Sequence, residues 1–275
     1  MYPPSRIVCL TEETVETLYL LGEEHRIVGV SGYAVRPPRV RKEKPRVSAF
    51  ISADFEKILA LEPDLVLTFS DLQADIAAEL IRRNVAVHAF NQRDIAGILA
   101  MIRTLGALVG KPEKAGALVA SLEERIEQVR GHAAKLKRRP RVYFEEWDEP
   151  MISGIRWVAE LIDIAGGIEI FPELSMRKNA KDRIVSAEGV IAAAPDIIVG
   201  SWCGKKFVPA KVAARNGFAA VPAVRTGWLR EIKSPLILQP GPAALTDGLA
   251  ALADIISEWV AAQREGASRV NASAR

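Results

Sequence analysis

Short runs of consecutive apolar residues alternate along this chain with longer segments in which apolar residues recur every three or four positions. Runs such as Ile7–Leu10, Ile27–Val30 and Val85–Phe90 are typical of buried strands in a parallel sheet. The segments between them predict helices, with Gly22 and Gly110 at two of the helix ends. The alternation therefore predicts an α/β fold in which helices cover both faces of a parallel sheet.

One helix–strand unit occurs twice. Residues 56–68 read as a short helix, a Pro-Asp turn and a strand that is apolar on both faces, and residues 188–200 have the same pattern. Pro63 and Pro195 occupy the same position within each copy. Two related units separated by about half the chain predict two similar lobes, and a cleft between such lobes is where a small ligand would bind.

A long helical segment separates the two halves. Leu118, Leu122 and Ile126 recur at helical spacing within residues 112–137, so one face of this helix is expected to pack on the protein. A helix is a stiff connection, which predicts little hinge motion. We predict an N-terminal α/β lobe over residues 1–110, a bridging helix over 111–138, a C-terminal α/β lobe over 139–263 and a polar tail over 264–275. The predicted fold class is thus two lobes, each a parallel-sheet α/β sandwich, bridged by one long α-helix.

Composition narrows the possible functions. The chain has 275 residues, of which 49% are hydrophobic, enough to bury a substantial core. Its net charge of +3 is too small to indicate a nucleic-acid-binding protein. The sequence has no run of about 18 apolar residues, so no transmembrane helix is predicted. The N-terminus enters a predicted strand almost at once, so no secretory leader is predicted either.

Residue types that catalyse reactions or bind metals are few and scattered. Cys9 and Cys203 lie in opposite halves and are predicted to be free thiols. His25, His88 and His132 have no metal-ligand spacing, so no metal site is predicted. The sequence also lacks a GxSxG motif and a glycine-rich phosphate loop. We therefore expect no catalytic residues.

Aromatic and basic residues lie at predicted strand ends in both halves. In open parallel sheets, ligands bind outside the carboxyl ends of the strands. Aromatic side chains suit a bulky, partly planar ligand, and arginine or lysine can bind its anionic groups. Core packing is the alternative role for each aromatic residue taken singly. The candidate ligand-binding residues are Tyr33, Phe50, Phe69, Arg156, Trp157, Trp202, Lys205, Trp228 and Arg230.

Several motifs in this order resemble the substrate-binding proteins of ABC importers for cobalamin and ferric siderophores, known as class III. The motifs are residues 6–10 with 16–18, residues 28–33, the Glu-Lys-Ile-Leu-Ala-Leu-Glu-Pro-Asp-Leu-Val block at 56–66, Ser153-Gly154, residues 160–167 and residues 185–188. The resemblance covers roughly residues 5–262, and within the group the chain looks most like the cobalamin-binding branch. It implies two α/β lobes bridged by a long helix, with the ligand held between them.

The resemblance also implies a function. It implies non-catalytic binding of a corrinoid or related metal chelate for delivery to an ABC importer, with no intrinsic cofactor. One acidic residue on each lobe would dock onto the membrane permease; these are Asp75 and Glu188, with Glu56 as a fallback for the first. The expected partners are a small-molecule ligand and an ABC permease, without nucleic acid, and the chain is expected to be a monomer.

Two departures from the family keep alternatives open. Cobalamin binders carry a tryptophan shortly before the second Val-Ser, where this chain has Asp182. Residues 202–206, with Arg177 and Lys178, favour a more anionic ligand, so a ferric-siderophore binding protein is one alternative. Because the family is exported, we expect a periplasmic location if a leader has been removed, and a cytoplasmic one if Met1 is the native start.

A second alternative is a cytoplasmic corrinoid-handling factor or enzyme on the same scaffold. Its active residue would be Cys203, in a candidate site loop, or Glu146, in the acidic stretch 145–149. A low thiol pKa at Cys203 would support this hypothesis. For the acidic stretch, a solvated loop is the interpretation that we favour.

Overall fold

The computed structural model describes residues 3–273, with side chains described for residues 3–264. The chain divides into two compact units. Unit 1 is Met1–Glu123 with Gln239–Ala243, and unit 2 is Glu124–Leu238 with Ala244–Arg275. Each unit contains one mostly parallel sheet together with helices, which confirms the predicted α/β fold.

Unit 1 contains a six-stranded sheet. Its elements are β1 (Ile7–Cys9), α1 (Glu12–Leu20), β2 (Ile27–Ser31), α2 (Val40–Glu43), β3 (Arg46–Ala49), β4 (Ser52–Ala53), α3 (Phe55–Ala60), β5 (Leu65–Phe69), α4 (Ala74–Arg82), β6 (Val87–Phe90), α5 (Ile95–Leu108) and the start of α6 (Pro112–Ala133). The strand order is β4-β3-β2-β1-β5-β6, and only β4 runs antiparallel to its neighbour. Ile58 of α3 and Leu80 of α4 pack with Val8 and Val66 in one buried cluster.

Unit 2 contains a five-stranded sheet. Its elements after α6 are β7 (Arg141–Asp148), β8 (Met151–Ser153), α7 (Arg156–Ile164), β9 (Ile168–Glu169), α8 (Pro172–Ser175), α9 (Ala187–Ala193), β10 (Ile197–Gly200), α10 (Pro209–Ala213), α11 (Pro222–Arg225), β11 (Leu229–Glu231), α12 (Ser234–Ile237) and α13 (Leu249–Ser273). The order is β11-β10-β7-β8, with β9 also paired to β7. Only β8 is antiparallel, forming a hairpin with β7.

The predicted repeat is present in both units as a helix, a Pro-Asp turn and a strand. α3 leads through Pro63 to β5, and α9 leads through Pro195 to β10. The residue before each proline, Glu62 or Ala194, has a φ of +45°. Such a left-handed residue ends a helix and redirects the chain. The two copies therefore share backbone conformation as well as sequence.

The aspartate of each Pro-Asp turn binds the start of the first strand in its own unit. The Asp64 carboxylate accepts hydrogen bonds from the backbone N–H groups of Ser5 at 2.7 Å and Arg6 at 2.9 Å. The Asp196 carboxylate accepts one from the backbone N–H of Arg141 at 2.9 Å. The Nε groups of Arg6 and Arg141 donate to carbonyls at the ends of α3 and α9. These contacts join a helix end to a strand start in the same way in both units.

Several element boundaries differ from the sequence predictions. α6 ends at Ala133 rather than near residue 137, and the division between the two units falls within it. The acidic stretch 145–149, interpreted above as a solvated loop, belongs to β7 up to Asp148. The backbone of α13 continues through most of the predicted polar tail 264–275, whose last two residues lie outside the described part of the chain.

Candidate functional site

Three candidate aromatic residues follow parallel strands of unit 1 at the carboxyl edge of the sheet. Tyr33 follows β2 and is 55% exposed, whereas Phe50 follows β3 and is half-buried. Phe69 is the last residue of β5 and is buried, with the guanidinium of Arg93 centred 5.0 Å from its ring. Because the carboxyl ends of parallel strands meet at one edge, this edge collects the aromatic residues that the sequence predicts as ligand-binding.

Gln73 connects the strand ends of this edge through its buried side-chain amide. Its Oε1 accepts a hydrogen bond from the backbone N–H of Phe69 at 2.9 Å. Its Nε2 donates to the carbonyls of Leu10 at 3.1 Å and Phe50 at 2.7 Å. Ser70, beside Phe69, has a φ of +59°, a left-handed conformation that costs a non-glycine residue about 1 kcal/mol or more. Gln73 thus holds three strand ends together next to a strained residue.

Two further apolar residues are exposed at the same edge. Ile51, between β3 and β4, is 73% exposed, and Leu72, after β5, is 56% exposed. The sequence predictions did not include either residue, because a single aliphatic residue in a loop is an ordinary feature. Their position in loops that follow neighbouring strands was the available signal. Together with Tyr33 they give unit 1 an exposed apolar surface at the edge where ligands bind in such sheets.

The acidic residues at the start of α1 are buried at this edge. Glu12 accepts a hydrogen bond from Ser31 Oγ at 3.0 Å, and burial raises its pKa. Glu16 pairs with Arg36 at 2.8 Å. Burial and the neighbouring carboxylate of Glu12 raise the pKa of Glu13 to about 8. Glu13 therefore carries a proton at neutral pH.

The acidic stretch 145–149 in unit 2 is not a solvated loop. β7 extends to Asp148, and Glu145 is fully buried. The Glu145 carboxylate accepts hydrogen bonds from Arg215 Nη1 at 2.5 Å and Nη2 at 2.9 Å, and from Trp202 Nε1 at 2.9 Å. Burial alone would lower the pKa of Arg215, but its pairing with this carboxylate raises it. The stretch is thus structured because a distant arginine neutralises its buried charge.

Glu146 is paired in a similar way. The fully buried Arg183 donates from Nη1 and Nη2 to the two carboxylate oxygens of Glu146, at 2.6 and 3.1 Å. Nη1 also contacts the carbonyl of Ser153, whose hydroxyl donates to the carbonyl of Arg183 at 3.1 Å. Glu146 therefore belongs to a structural ion pair that fixes the segment before α9 onto the β7–β8 hairpin. This arrangement gives no support to Glu146 as an active residue.

Lys205 binds the third acid of β7. Its ammonium pairs with Asp148 and lies 3.9 Å from the ring centroid of Trp147 and 5.4 Å from that of Trp202. An ammonium over an indole face is stabilised by the ring quadrupole. Trp202 itself is 3% exposed and packs against Phe207, so its role is in the core. The half-buried Trp147 is the tryptophan of this cluster with ring surface left to contact a ligand.

The remaining candidates of unit 2 are spread over different places. Arg156 begins α7 and pairs with Glu160 at 3.0 Å. Trp157 is 3% exposed, and its Nε1 donates to the carbonyl of Ile237, so it is a core residue. Trp228 comes just before β11, at the amino edge of the sheet, opposite to the edge where Trp202 lies.

Arg230 packs against the ring of Trp228. Its guanidinium lies 4.4 Å from the Trp228 ring centroid, and Nη1 donates to the carbonyl of Gly227. The structure therefore does not bring Trp228 and Arg230 together with Lys205. The sequence alone does not show at which edge of a sheet each strand end lies. Residues at both ends of the predicted strands were therefore candidates.

The predicted docking residues are exposed carboxylates on helices. Asp75 lies in the first turn of α4 and Glu188 in the first turn of α9. Hydrogen bonds from its own backbone N–H and from Ser186 lower the pKa of Glu188, so it stays ionised. Glu56, the fallback, lies in the first turn of α3 and pairs with Arg83 at 3.0 Å.

Thiols, metal ligands and membrane spans can be assessed over the described residues. Cys9 and Cys203 are both free thiols, as predicted; Cys203 is exposed. Burial raises the pKa of the Cys9 thiol to about 12, so it is unreactive. Within residues 3–264, no group of three or more His, Cys, Asp or Glu side chains could hold a metal ion. None of the described helices is long and apolar enough to cross a membrane.

Comparisons with known proteins agree on one family. Residues 7–236 match the family described as periplasmic binding protein. A cobalamin-binding protein of Halobacterium salinarum is 24% identical over 245 residues, which is 87% of this chain and 66% of the relative. The chain thus spans slightly less than two thirds of that relative's length.

Two solved structures have the same fold. The periplasmic vitamin B12 binding protein BtuF of Vibrio cholerae matches with a TM-score of 0.74 and 22% identity, covering 94% of this chain and 98% of the other. The periplasmic heme-binding protein RhuT of Roseiflexus sp. RS-1 matches with a TM-score of 0.79 and 25% identity, covering 92% of this chain and 99% of the other.

Proposed function

Because this chain belongs to the periplasmic binding protein family, we propose that it binds a corrinoid or a related metal chelate and delivers it to an ABC importer without catalysing a reaction. Relatives named for cobalamin and for heme support a large, planar, metal-containing ligand. The observation that carries the proposal is the exposed apolar edge of unit 1, formed by Tyr33, Ile51 and Leu72. A macrocycle is wide enough to cover several such side chains at once.

Direct binding tests this proposal. Purified protein is titrated with cobalamin, cobinamide, hemin and a ferric siderophore, and tryptophan fluorescence and isothermal titration calorimetry are followed. We expect saturable one-to-one binding of at least one chelate, with a negative heat-capacity change from apolar burial. Failure of all four ligands to bind would contradict the proposed function.

Matched variants connect the binding to the unit 1 edge. Leu72→Ala and Tyr33→Ala remove ligand-contacting surface in the proposal and should weaken binding by about 1 kcal/mol or more each. Ile81 is 60% exposed near the end of α4, away from the carboxyl edge, so Ile81→Ala is the control. Equal dissociation constants for all three variants and the unmodified chain would show that the unit 1 edge does not contribute to ligand binding.

We further propose that Asp75 and Glu188 dock the protein onto a membrane permease. Exposed carboxylates in the first turn of a helix are available to arginines of a partner, which can bind them with two parallel hydrogen bonds. Each unit supplies one of them. Glu56 is a weaker choice than Asp75 because Arg83 already binds it.

A further inference from the structure

The cation–aromatic cluster of Lys205, Trp147 and Asp148 is built from two separate segments of unit 2. Trp147 and Asp148 come from the projecting end of β7, and Lys205 comes from the loop after β10. Both segments lie at the carboxyl edge of the sheet, where β10 ends at Gly200 opposite Glu145. The cluster therefore lies at the edge where a ligand of such a sheet is contacted.

Two ion pairs support the cluster. Glu145, which is paired with Arg215, accepts a hydrogen bond from Trp202 in the loop that carries Lys205. Arg183 binds Glu146 in the strand that carries Trp147. The cluster is thus held by two ion pairs, each with one fully buried partner, which favours a preorganised site.

The lysine is positioned to bind a second anion. The Asp148 side chain is only 11% exposed, whereas that of Lys205 is 39% exposed. An ammonium has three N–H donors, so a single carboxylate partner leaves donors directed away from Asp148. The acids of β7 at positions 145, 146 and 148 are each neutralised by a base. An incoming anion therefore meets no unpaired carboxylate from these three residues.

Additional positive charge lies on the segment before α9. Arg177, Lys178 and Lys181 are exposed and have no ion-pair partner among the described residues. They belong to the segment that Arg183 fixes onto the β7–β8 hairpin. Exposed cations on such a segment raise the local positive potential and speed association with an anion, an effect that salt screens.

From this arrangement we infer that Lys205 is a specificity-determining residue that binds a carboxylate at the periphery of a planar chelate, while Trp147 contacts the ring. The inference rests on the proposed function and narrows its ligand class to chelates that carry peripheral carboxylates. A neutral chelate of the same shape would gain nothing from the ammonium.

The test compares a corrinoid acid with its neutral ester. Binding of cobyrinic acid and of its heptamethyl ester is measured by calorimetry at low salt, for the unmodified chain and for Lys205→Met, Lys205→Arg and Lys206→Met. We expect the acid to bind about ten times more tightly than the ester, the scale of one charge-assisted hydrogen bond. Lys205→Met should abolish this preference, whereas Lys205→Arg and the neighbouring control Lys206→Met should retain most of it.

The possible failures are distinguishable. Equal binding of acid and ester by the unmodified chain contradicts the inference but leaves the proposed function intact. If Lys205→Met weakens the binding of both ligands by the same factor, the role of Lys205 is structural rather than selective. This result also contradicts the inference. Absence of binding for both ligands and for the four chelates above contradicts the proposed function itself.

Discussion

Glu13 is a buried acid although its position in the sequence is typical of an exposed one. The residue is 2% exposed, and its Oε1 has no hydrogen-bond partner within the described part of the chain. Gly241 packs so closely that a Cβ there would lie 2.4 Å from the Cβ of Glu13. Burial therefore disfavours the charged carboxylate and raises its pKa to about 8. In sequence, the same glutamate looks like an ordinary first-turn acid of a helix.

The raised pKa predicts that stability falls as the pH rises. Between the unfolded value near 4.5 and the folded value near 8, the folded chain holds a proton on Glu13 that the unfolded chain has lost. Each step upward through this window therefore favours unfolding. Glu13→Gln imitates the protonated acid and removes the titration, so its stability relative to the unmodified chain should increase from pH 5 to pH 8.

Urea unfolding at several pH values measures this difference. Glu12 and Glu169 also have pKa values raised by burial, so the slope should be reduced in Glu13→Gln rather than abolished. Parallel stability profiles for Glu13→Gln and the unmodified chain would show that Glu13 does not titrate in this window.

At the scale of elements, the repeated Pro-Asp turn also joins a helix end to the first strand of its unit. Its aspartate binds the first strand of its unit, and the arginine of that strand binds the end of the helix. The Asp64 carboxylate accepts hydrogen bonds from Ser5 N, Ser5 Oγ and Arg6 N, whereas the Asp196 carboxylate accepts one from Arg141 N. Burial tends to raise the pKa of Asp64, but these hydrogen bonds lower it overall.

A matched pair of variants tests the turn in each unit separately. Asp64→Ala should lower the free energy of local opening at the start of β1, and Asp196→Ala that at the start of β7. Each change should be about 1 kcal/mol, the usual contribution of such hydrogen bonds. Hydrogen exchange of the strand amides should then be several-fold faster in the affected strand only. The effect of Asp64→Ala should be the larger, because it removes more hydrogen bonds. Equal acceleration of both strands in either variant would refute this local role.

At the scale of the whole molecule, the chain passes between its two units more than once. Unit 1 includes Gln239–Ala243, although the residues on both sides of this segment belong to unit 2. Within unit 1, Gln92 Nε2 donates to the carbonyl of Pro240 at 2.9 Å, and the backbone N–H of Ala243 donates to Glu16 at 3.0 Å. A division based only on the bridging helix missed this segment, because its anchors lie far away in sequence.

Permease docking is also a prediction at this scale. In an ATPase-stimulation assay with a candidate permease–ATPase complex from the source genome, Asp75→Lys and Glu188→Lys should each reduce stimulation at least several-fold. Chelate binding to the isolated protein should not change. Glu113→Lys and Glu173→Lys, which reverse exposed acids elsewhere on helices, serve as controls. Loss of stimulation in all four variants would indicate a general charge effect and contradict specific docking.

Much of the fold and less of the site could be predicted from the sequence. Local periodicity and turn residues identified most helices and strands, because their signals lie within a few neighbouring positions. Tyr33, Phe50 and Phe69 lie at one edge, since each follows a parallel strand of the same sheet, and their role in ligand binding stays a prediction. Trp157 and Trp202 proved to be core residues, because burial depends on what packs over a strand end and not on the end itself.

The sequence by itself determined the α/β class, the repeated Pro-Asp unit and the resemblance to class III binding proteins, because apolar periodicity and short motifs are properties of neighbouring residues. Only the tertiary structure decided which charges meet. Glu145 pairs with Arg215 across 70 positions, Glu146 with Arg183 across 37 and Asp148 with Lys205 across 57. Such pairs form only after strand order has brought distant loops to one edge of a sheet, where burial makes an unpaired charge too costly.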